Sequence, residues 1–547
     1  MNSKKYQPLQ VIFIFILGLL VGKFCFSTNK DKVEFSLFNG KPSKLQTVIN
    51  LIDDRYVDDV DVDSLTELII PDIFSKLDPH TKYYSAEKRT DVERNIIGHF
   101  CGVGIEFNVS NDTCIALSIV KDGPCDLAGI LAGDNILKID TVDVVGSNAK
   151  NLVSNLMKGE EGSVVQVTVH RQGIDSALVF DVVRGDIPTY SVPAGYKLDS
   201  VTGYIKITSF GDRTYKEFVG KLKPLLDSEI QNLIVDLRDN GGGLLYTVRD
   251  IVSEILHTND TIVYTEERHK DRSLVLIDTV SNPLCKDLNV ICIVNSNSAS
   301  ASEIMVGAIQ DHDRGIILGR RTFGKGLVQT PISFQDNSVV RLTTSRYYTP
   351  SGRSFQKAYS EYDNDLKKRL KNGELDSANA FSYKDSTVYF TKHGRKVYAG
   401  GGVMPDYFVP YSYQFSNGLL YKLDSAQLFY KFASRKYNLM AEKDTTIRNS
   451  DKYVTELFSD EIKLLDDFIS FAASYNVKIN PRKDKKELQD SKKLILSQIM
   501  AYCYHVVGDE DNYYKYYNFY NADVVAAERL FGDINTFNLL LGANENN

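Results

Sequence analysis

Apolar positions three and four apart recur in "LQTVINLIDDRYV" and "SLTELIIPDIFSKL", and predict a small helical segment over residues 40–95. "LDPHTKYYSAEK" follows as a turn, with Asp78-Pro79 as the breaker. From residue 96 the pattern shortens. "GVGIEFNV", "CIALSIV", "NILKIDTVDV", "SVVQVTVHR" and "ALVFDVVR" are Val- and Ile-rich runs bounded by Gly, Asp and Asn, and predict short strands. "DLAGILAGD" and "NAKNLVSNLMKG" keep helical spacing between them, so residues 96–186 read as one β-rich module. Over 187–410 buried strands ("TGYIKITSF", "NLIVDLR", "NVICIVNS", "GIILG") alternate with amphipathic helices ("TYKEFVGKLKPLL", "LLYTVRDIVSEIL", "SEIMVGAIQDH"). That alternation predicts a largely parallel sheet with crossover helices, in an α/β multidomain chain. Residues 358–395 are polar and charged, and are expected as a surface insertion. Residues 411–547 turn helical and rich in Tyr and Phe, which predicts a helical C-terminal extension with an aromatic packing surface.

The first thirty residues break the pattern. Lys4 and Lys5 precede "VIFIFILGLLVG" and then Lys23, a positive region before about a dozen apolar residues, as in an export signal. Cys25 after "GKF" fits a lipoprotein cleavage box poorly. Residues 1–30 are therefore expected to be an uncleaved membrane anchor, with a cleaved signal second. The two lysines would stay in the cytoplasm and the bulk of the chain would be exported.

Composition narrows the choices. A chain of 547 residues allows two to four domains, and 43% hydrophobic with 25% charged residues is globular. The net charge of −7, with no basic run interleaved with aromatics, argues against a nucleic-acid partner. The seven cysteines show no C-x-x-C spacing and sit in apolar stretches, as buried thiols do. The eight histidines are dispersed, so neither a metal nor another cofactor is expected.

"LIVDLRDNGGG" and "ICIVNSNSASASE" each run from an apolar strand through small residues into a helix. If those strands are parallel, both turns lie at one edge of the sheet. Gly241, Gly242 and Gly243 can then bring a backbone N–H close to a substrate, and the start of the 302–312 helix can supply another. Two such donors suit a tetrahedral oxyanion, each worth ~3 kcal/mol in the transition state. A serine nucleophile also needs a base. His312 sits at a helix end between aspartates, whereas Lys325 is held in "FGKG" after the strand "GIILG". A free lysine must lose roughly three pH units, about 4 kcal/mol, to act as a base near neutrality. Desolvation beside Phe323 and Leu327 can do that, and Gln329 is placed to orient the amine. Spacing does not choose among Ser298, Ser300 and Ser302. It also leaves open a plain N-cap at Ser302 with Glu303 as first-turn carboxylate.

Taken together these segments resemble the carboxyl-terminal processing, or tail-specific, proteases. The resemblance rests on "LDPHTKYY" (77–84), "GVGIEF" with "AGILAGDNILKIDTVDV", "DLRDNGGG" (236–243), "SASASEI…FGKGLVQT", "YTPSGRSFQ" and "GGGVMPDYFV", and covers roughly residues 40–410. It implies a crotonase-like α/β protease core over 187–410 with an embedded PDZ domain over 96–186. It also implies Ser300 as nucleophile, Lys325 as general base and Gln329 as its support. Oxyanion donors would be backbone amides of Gly242 or Gly243 and of Ala301. Ser296 and Asn297 stand where many relatives have glycine, a departure bearing on loop flexibility.

The same resemblance gives the β-rich module a task. PDZ domains add a polypeptide tail to a strand edge and hold its carboxylate in a backbone nest. Gly102, Val103, Gly104 and Ile105 would form that nest, with the "NLVSNLM" helix as the far wall. The expectation is an exported serine endopeptidase that takes polypeptides with exposed C-termini and hydrolyses them through an acyl-enzyme. It would be anchored in a bacterial inner membrane facing the periplasm, or be periplasmic if the signal is cleaved, with a homo-oligomer left open. Two rivals remain at this point: a catalytically inactive PDZ scaffold that recruits envelope proteins, and a Ser-His-Asp hydrolase using His312.

Overall fold

The computed structural model describes residues 43–542, except 88, 90–98, 111, 121, 172, 189, 257–258, 279, 363, 378–386, 412–417, 442, 445–446, 448–449 and 478–484. The anchor expected over residues 1–30 lies outside the described residues. No described helix is long and apolar enough to cross a membrane. The chain divides into two units at Ile73/Phe74. In the first, the helix Lys44–Arg55 starts on Ser43, whose hydroxyl accepts the Gln46 N–H at 3.2 Å. A second helix, Val62–Ser75, carries Pro71 inside it.

The second unit begins with the "LDPHT" turn. The Asp78 carboxylate accepts the N–H groups of His80 (2.7 Å) and Thr81 (2.8 Å), an Asx-type closure that local sequence specifies. The strand Lys82–Tyr84 then pairs antiparallel with Val339–Tyr348. A segment expected as a bare turn is thus fastened to a sheet more than 250 residues away in the chain.

The β-rich module is an antiparallel sheet in the order Ile105–Ser110, Thr113–Ile119, Asn135–Ile139, Val164–His170, Leu178–Val183. In Val164–His170 the residues Val165, Val167 and Val169 are buried, because alternate side chains of a strand share one face. Ile105–Ser110 pairs on one side only among the described residues. The helix Ala149–Leu156 lies beside it, with Leu152 and Leu156 packed on the core that also takes Ile105 and Phe107. His99–Gly102 and Gly185–Pro188 pair antiparallel where the chain enters and leaves the module.

The sheet of the 187–410 region runs Ala194–Lys197, Thr202–Lys206, Asn232–Asp236, Asn289–Val294, Ile316–Gly319, Tyr407–Phe408. Only the first pair is antiparallel. The expected parallel sheet is present, so the turns after Asp236, Val294 and Gly319 gather at one edge. One face is covered by the helices Thr214–Asp227, Leu245–Ser253 and Ala301–Asp311, through Phe218, Val248, Ile251 and Ile304. The other face is covered by the C-terminal helices Ala522–Gly532 and Ile534–Leu540, through Val524, Ala527, Leu530 and Phe537. Leu327–Ser333 and Val339–Tyr348 form a hairpin in the second sheet, which the periodicity did not single out.

The C-terminal helices also reach the β-rich module. Leu131 and Ala132 share one core with Phe429, Phe432, Phe468 and Cys503, and the Tyr430 hydroxyl donates to Leu117 O at 2.9 Å. The tyrosines of 500–520 serve packing: Tyr504 and Tyr516 stack with ring centres 5.5 Å apart. None of the described cysteines is in a disulfide. Burial pushes the Cys285, Cys292 and Cys503 thiols up to about 12, which keeps them inert.

Most described residues of 358–395 are exposed, in line with a surface insertion, but a few of its side chains are buried against the lysine turn. Arg369 is 2% exposed and donates to the carbonyls of Arg321 (2.8 Å) and Thr322 (2.9 Å). Arg321 is paired in turn with Glu374 at 2.6 and 2.9 Å. Charges in a polar segment are expected to face solvent, but a charge paired with a neighbour, as Arg369 is with Asp365, can be buried. This segment braces the turn that carries Lys325.

Candidate active site

Three serines alternate before the helix Ala301–Asp311, and the structure gives them different work. The Ser298 hydroxyl donates to Leu237 O at 2.8 Å, and the Ser302 hydroxyl to Asn240 O at 2.9 Å. Both side chains are fully buried and tie the serine turn to the neighbouring "DLRDNGGG" turn. The N-cap position expected for Ser302 is taken by Ser300. Ser300 has φ +56° and ψ −112°, outside the regions favoured by L-residues, and strain of this kind costs about 1–3 kcal/mol. Such strain persists where neighbours over-determine the turn, as Ser298 and Ser302 do here.

Glu303 is the residue whose weight sequence reasoning missed. Its carboxylate is fully buried. Oε2 accepts the Ser300 N–H at 3.0 Å and the Lys325 N–H at 2.8 Å. Oε1 accepts the Gly324 N–H at 2.7 Å and the Thr322 hydroxyl at 2.6 Å. Two nitrogens bound to one oxygen lie within about 6 Å of each other, so positions 300 and 325 are brought together by a single atom. Burial pushes the Glu303 carboxyl up, and these four donors pull it back. The signal was its place three residues after Ser300, which is the return partner of a capping box.

Lys325 is held on the other side by Gln329. Nζ donates to Gln329 Oε1 at 3.1 Å, and Gln329 Nε2 donates to His80 O at 2.7 Å. With its NH₂ end on a carbonyl, the amide can only turn its oxygen toward the lysine. Burial pushes the Lys325 amine below its usual value, and the Arg341 guanidinium pushes it further. His80 is held down to about 4, first by burial and then by the Lys325 charge, so its imidazole is neutral near pH 7. Its ring packs edge-on against Tyr362 at 4.9 Å, and Tyr362 packs edge-on against Phe323 at 5.4 Å. His80 thus packs its ring on Tyr362 and also supplies the carbonyl that orients Gln329.

The glycine turn lies against Ser300. A Cβ on Gly242 would sit 2.8 Å from Ser300 Cβ and 2.9 Å from Ala301 N, at φ +104°, so no other residue fits. The Gly242 N–H, however, donates to Asn240 Oδ1 at 2.9 Å, which removes it from the pair of expected oxyanion donors. At Gly243 the neighbours do the bonding: Phe210 N–H donates to Gly242 O at 3.0 Å and Leu244 N–H to Phe210 O at 2.7 Å. The Gly243 N–H therefore points away from Phe210. Ala301 is the first helical residue, where N–H groups have no partner within the helix.

The turn is anchored behind by the C-terminal extension. Asp236 accepts from Arg238 Nη2 and the Tyr204 hydroxyl, both at 2.6 Å, and from Lys206 at 3.3 Å. Burial alone would raise the Asp236 carboxyl, but Arg238 and Lys206 outweigh it and hold it well below the carboxylate range. Arg238 then reaches Asn521 at 2.7 Å and Asp523 at 3.1 Å, and Arg320 meets Asp523 at 2.8 Å through both terminal nitrogens.

His312 does not join the site. It lies past the far end of the eleven-residue helix that Ser300 caps, about 16 Å along the axis, with Nε2 at 2.7 Å from Thr261 O. His312 therefore does not serve a Ser-His-Asp arrangement with Ser300.

In the β-rich module, Val103 O and Gly104 O accept the N–H groups of Cys125 and Val120, each at 2.9 Å. Gly104 has φ +72°, and with Gly102, Val103 and Ile105 it forms the loop entering the one-sided strand Ile105–Ser110. An open strand edge beside a helix is what strand addition requires.

Comparison with known proteins agrees with this layout. Residues 201–366 match the model of peptidase family S41, and residues 101–182 match a PDZ domain. The carboxy-terminal-processing protease of Bartonella bacilliformis is 36% identical over 306 residues, 55% of this chain and 69% of that protein. The carboxy-terminal processing protease CtpB of Bacillus subtilis is 30% identical over 317 residues, 57% of this chain and 65% of that protein. Among solved structures, the photosystem II D1 C-terminal processing protease aligns at 26% identity and a TM-score of 0.33, covering 57% of this chain and 89% of that one. The chain belongs to peptidase family S41, as a serine peptidase of the carboxy-terminal-processing type that carries a PDZ domain.

Proposed function

We propose that Ser300 is the nucleophile and Lys325 the general base of an exported, tail-recognising endopeptidase. The single observation that carries this reading is the shared Glu303 Oε2, which binds the backbone of both residues. The neutral Lys325 amine would take the Ser300 proton as the hydroxyl attacks the peptide carbonyl. The N–H groups of Gly243 and Ala301 would receive the oxyanion. Lys325 would return the proton to the departing amine, leaving an acyl-enzyme on Ser300 that water hydrolyses. Gln329 would orient the amine throughout. The tail of a polypeptide substrate would add to Ile105–Ser110, with its carboxylate on the Gly102–Ile105 loop.

Residues 1–30 are read as the export anchor, which would place this chemistry in the cell envelope. The strained, neighbour-held Ser300 favours activity over the inactive-scaffold reading. The test is degradation of an unstructured polypeptide by the full chain, against Ser300→Ala and Lys325→Ala variants with intact melting transitions. Cleavage lost in both variants supports the dyad. Cleavage by Ser300→Ala overturns it, and an inert wild type in the presence of added tail peptides returns the scaffold reading.

A further inference from the structure

Lys325 and Arg341 converge on one amide oxygen. Lys325 Nζ donates to Gln329 Oε1 at 3.1 Å, and Arg341 Nη2 approaches the same atom at 3.4 Å. Nitrogens sharing an oxygen at such distances are within about 6.5 Å of each other. Gln329 cannot rotate away, because His80 O holds its NH₂ end. Arg341 cannot drift either: it lies mid-strand in Val339–Tyr348, opposite Lys82 on one side and Pro331 on the other.

We propose that Arg341 is a positioning residue for the proteolytic reaction, its permanent charge set within about 6.5 Å of the Lys325 amine and its guanidinium sharing Gln329 Oε1 with that amine. This rests on the reading of Lys325 as the base. Guanidinium suits the task because it stays charged at every working pH, so it repels a proton on its neighbour without competing for one.

The other charges around the lysine have to be counted. Burial lowers Lys325 most and Arg341 next, while Lys82 adds a smaller push in the same direction. The Glu303 and Asp78 carboxylates act against them. His80 is held neutral, and Lys357 is occupied, paired with Asp365 at 3.0 Å and set over the Phe323 ring at 3.6 Å. Arg341 is the largest charge effect on the amine. At no more than about 6.5 Å, a permanent positive charge disfavours a proton on the amine, and the partial exposure of Arg341 screens part of that effect.

The measurement is the pH profile of kcat/KM between pH 5 and 10 on a quenched peptide. It uses the full-length wild type and the Arg341→Gln, Arg341→Met, Arg341→Lys and Lys325→Ala variants, each checked for a cooperative melt. The pH dependence of Ser300 labelling by a fluorophosphonate serves as a second readout that needs no tail. Removing the charge raises the Lys325 titration, so the acid limb moves about one pH unit upward in Arg341→Gln and Arg341→Met. On the acid side of the limb this is a roughly tenfold loss at fixed pH, carried by kcat rather than KM. Arg341→Lys keeps the charge and the wild-type limb. An unmoved limb in a folded neutral variant overturns the proposal, as does a limb in Arg341→Lys that shifts as far as in Arg341→Gln. If neither neutral variant melts cooperatively, Arg341→Lys decides alone by keeping or losing the wild-type limb. Activity persisting in Lys325→Ala instead sinks the base assignment, whatever Arg341 does.

Discussion

Glu303 accepts the Lys325 backbone N–H at 2.8 Å with the oxygen that also holds the Ser300 N–H. The carboxylate is thus a pin between the serine turn and the lysine turn. Glu303→Gln leaves one oxygen for four donors and turns an NH₂ toward the rest. The expected cost is about 2–4 kcal/mol of stability, with a fall in kcat of at least ~100-fold as the two turns separate. Melting curves and single-turnover rates check this. A variant with wild-type kcat would show that the pin is dispensable.

Asp523 lies in the C-terminal extension, yet it neutralises Arg238 and Arg320 beside the glycine turn. Asp523→Ala leaves two largely buried cations with a lost partner, and breaking such a pair costs about 3–5 kcal/mol. Adding Arg320→Ala should recover part of that loss, because a stranded charge costs more than a missing pair. Denaturant midpoints of the two variants decide, and a double variant less stable than Asp523→Ala refutes the account.

Gly104 has φ +72°, and an added Cβ would lie 3.2 Å from Ile187 Cδ1 and 3.3 Å from Val120 Cβ. Gly104→Val should distort the loop entering the open strand and weaken tail-peptide binding at least about tenfold. Fluorophosphonate labelling of Ser300 should persist. Anisotropy titrations with a free-acid peptide and its amide measure the effect, and equal affinity for both in the wild type would remove the carboxylate nest.

His80 titrates near 4 in the folded chain instead of 6.5. Its pKa is depressed, so its contribution to stability is full above pH 6.5 and is lost as the pH falls through 4. With solvent screening discounted, that contribution is about 1 kcal/mol. His80→Phe keeps a ring against Tyr362 and has nothing to protonate. It should lose less stability than wild type between pH 7.5 and pH 4, and matched losses in denaturant melts would contradict this origin.

Much of the fold was readable because its signals are local. Val165, Val167 and Val169 alternate, and "NLIVDLR" and "NVICIV" are continuous apolar runs, so the half-buried and fully buried strands declared themselves. Lys325 and Gln329 were legible as candidates because they follow the strand "GIILG", which returns the chain to the edge where the serine turn lies, although a lysine between glycines is common in loops. Residues 358–395 are exposed for the most part, and a few paired charges are the exception. Their charges look solvated in one dimension, while Arg369 and Arg321 are paired and enclosed in three.

The sequence by itself determined the order of elements, the parallel sheet that gathers its turns at one edge, and the residue types offered there. Only the tertiary structure decided which groups act on which. Ser298 and Ser302 are spent on the carbonyls of a neighbouring turn, which favours Ser300 as the proposed nucleophile. Gln329 is aimed by the carbonyl of His80, nearly 250 positions earlier in the chain, and Gly242 is already bonded to Asn240. Periodicity reports the face a residue presents within its own element. A hydrogen bond or a charge near 6 Å depends on which distant elements become neighbours, and no local pattern carries that information.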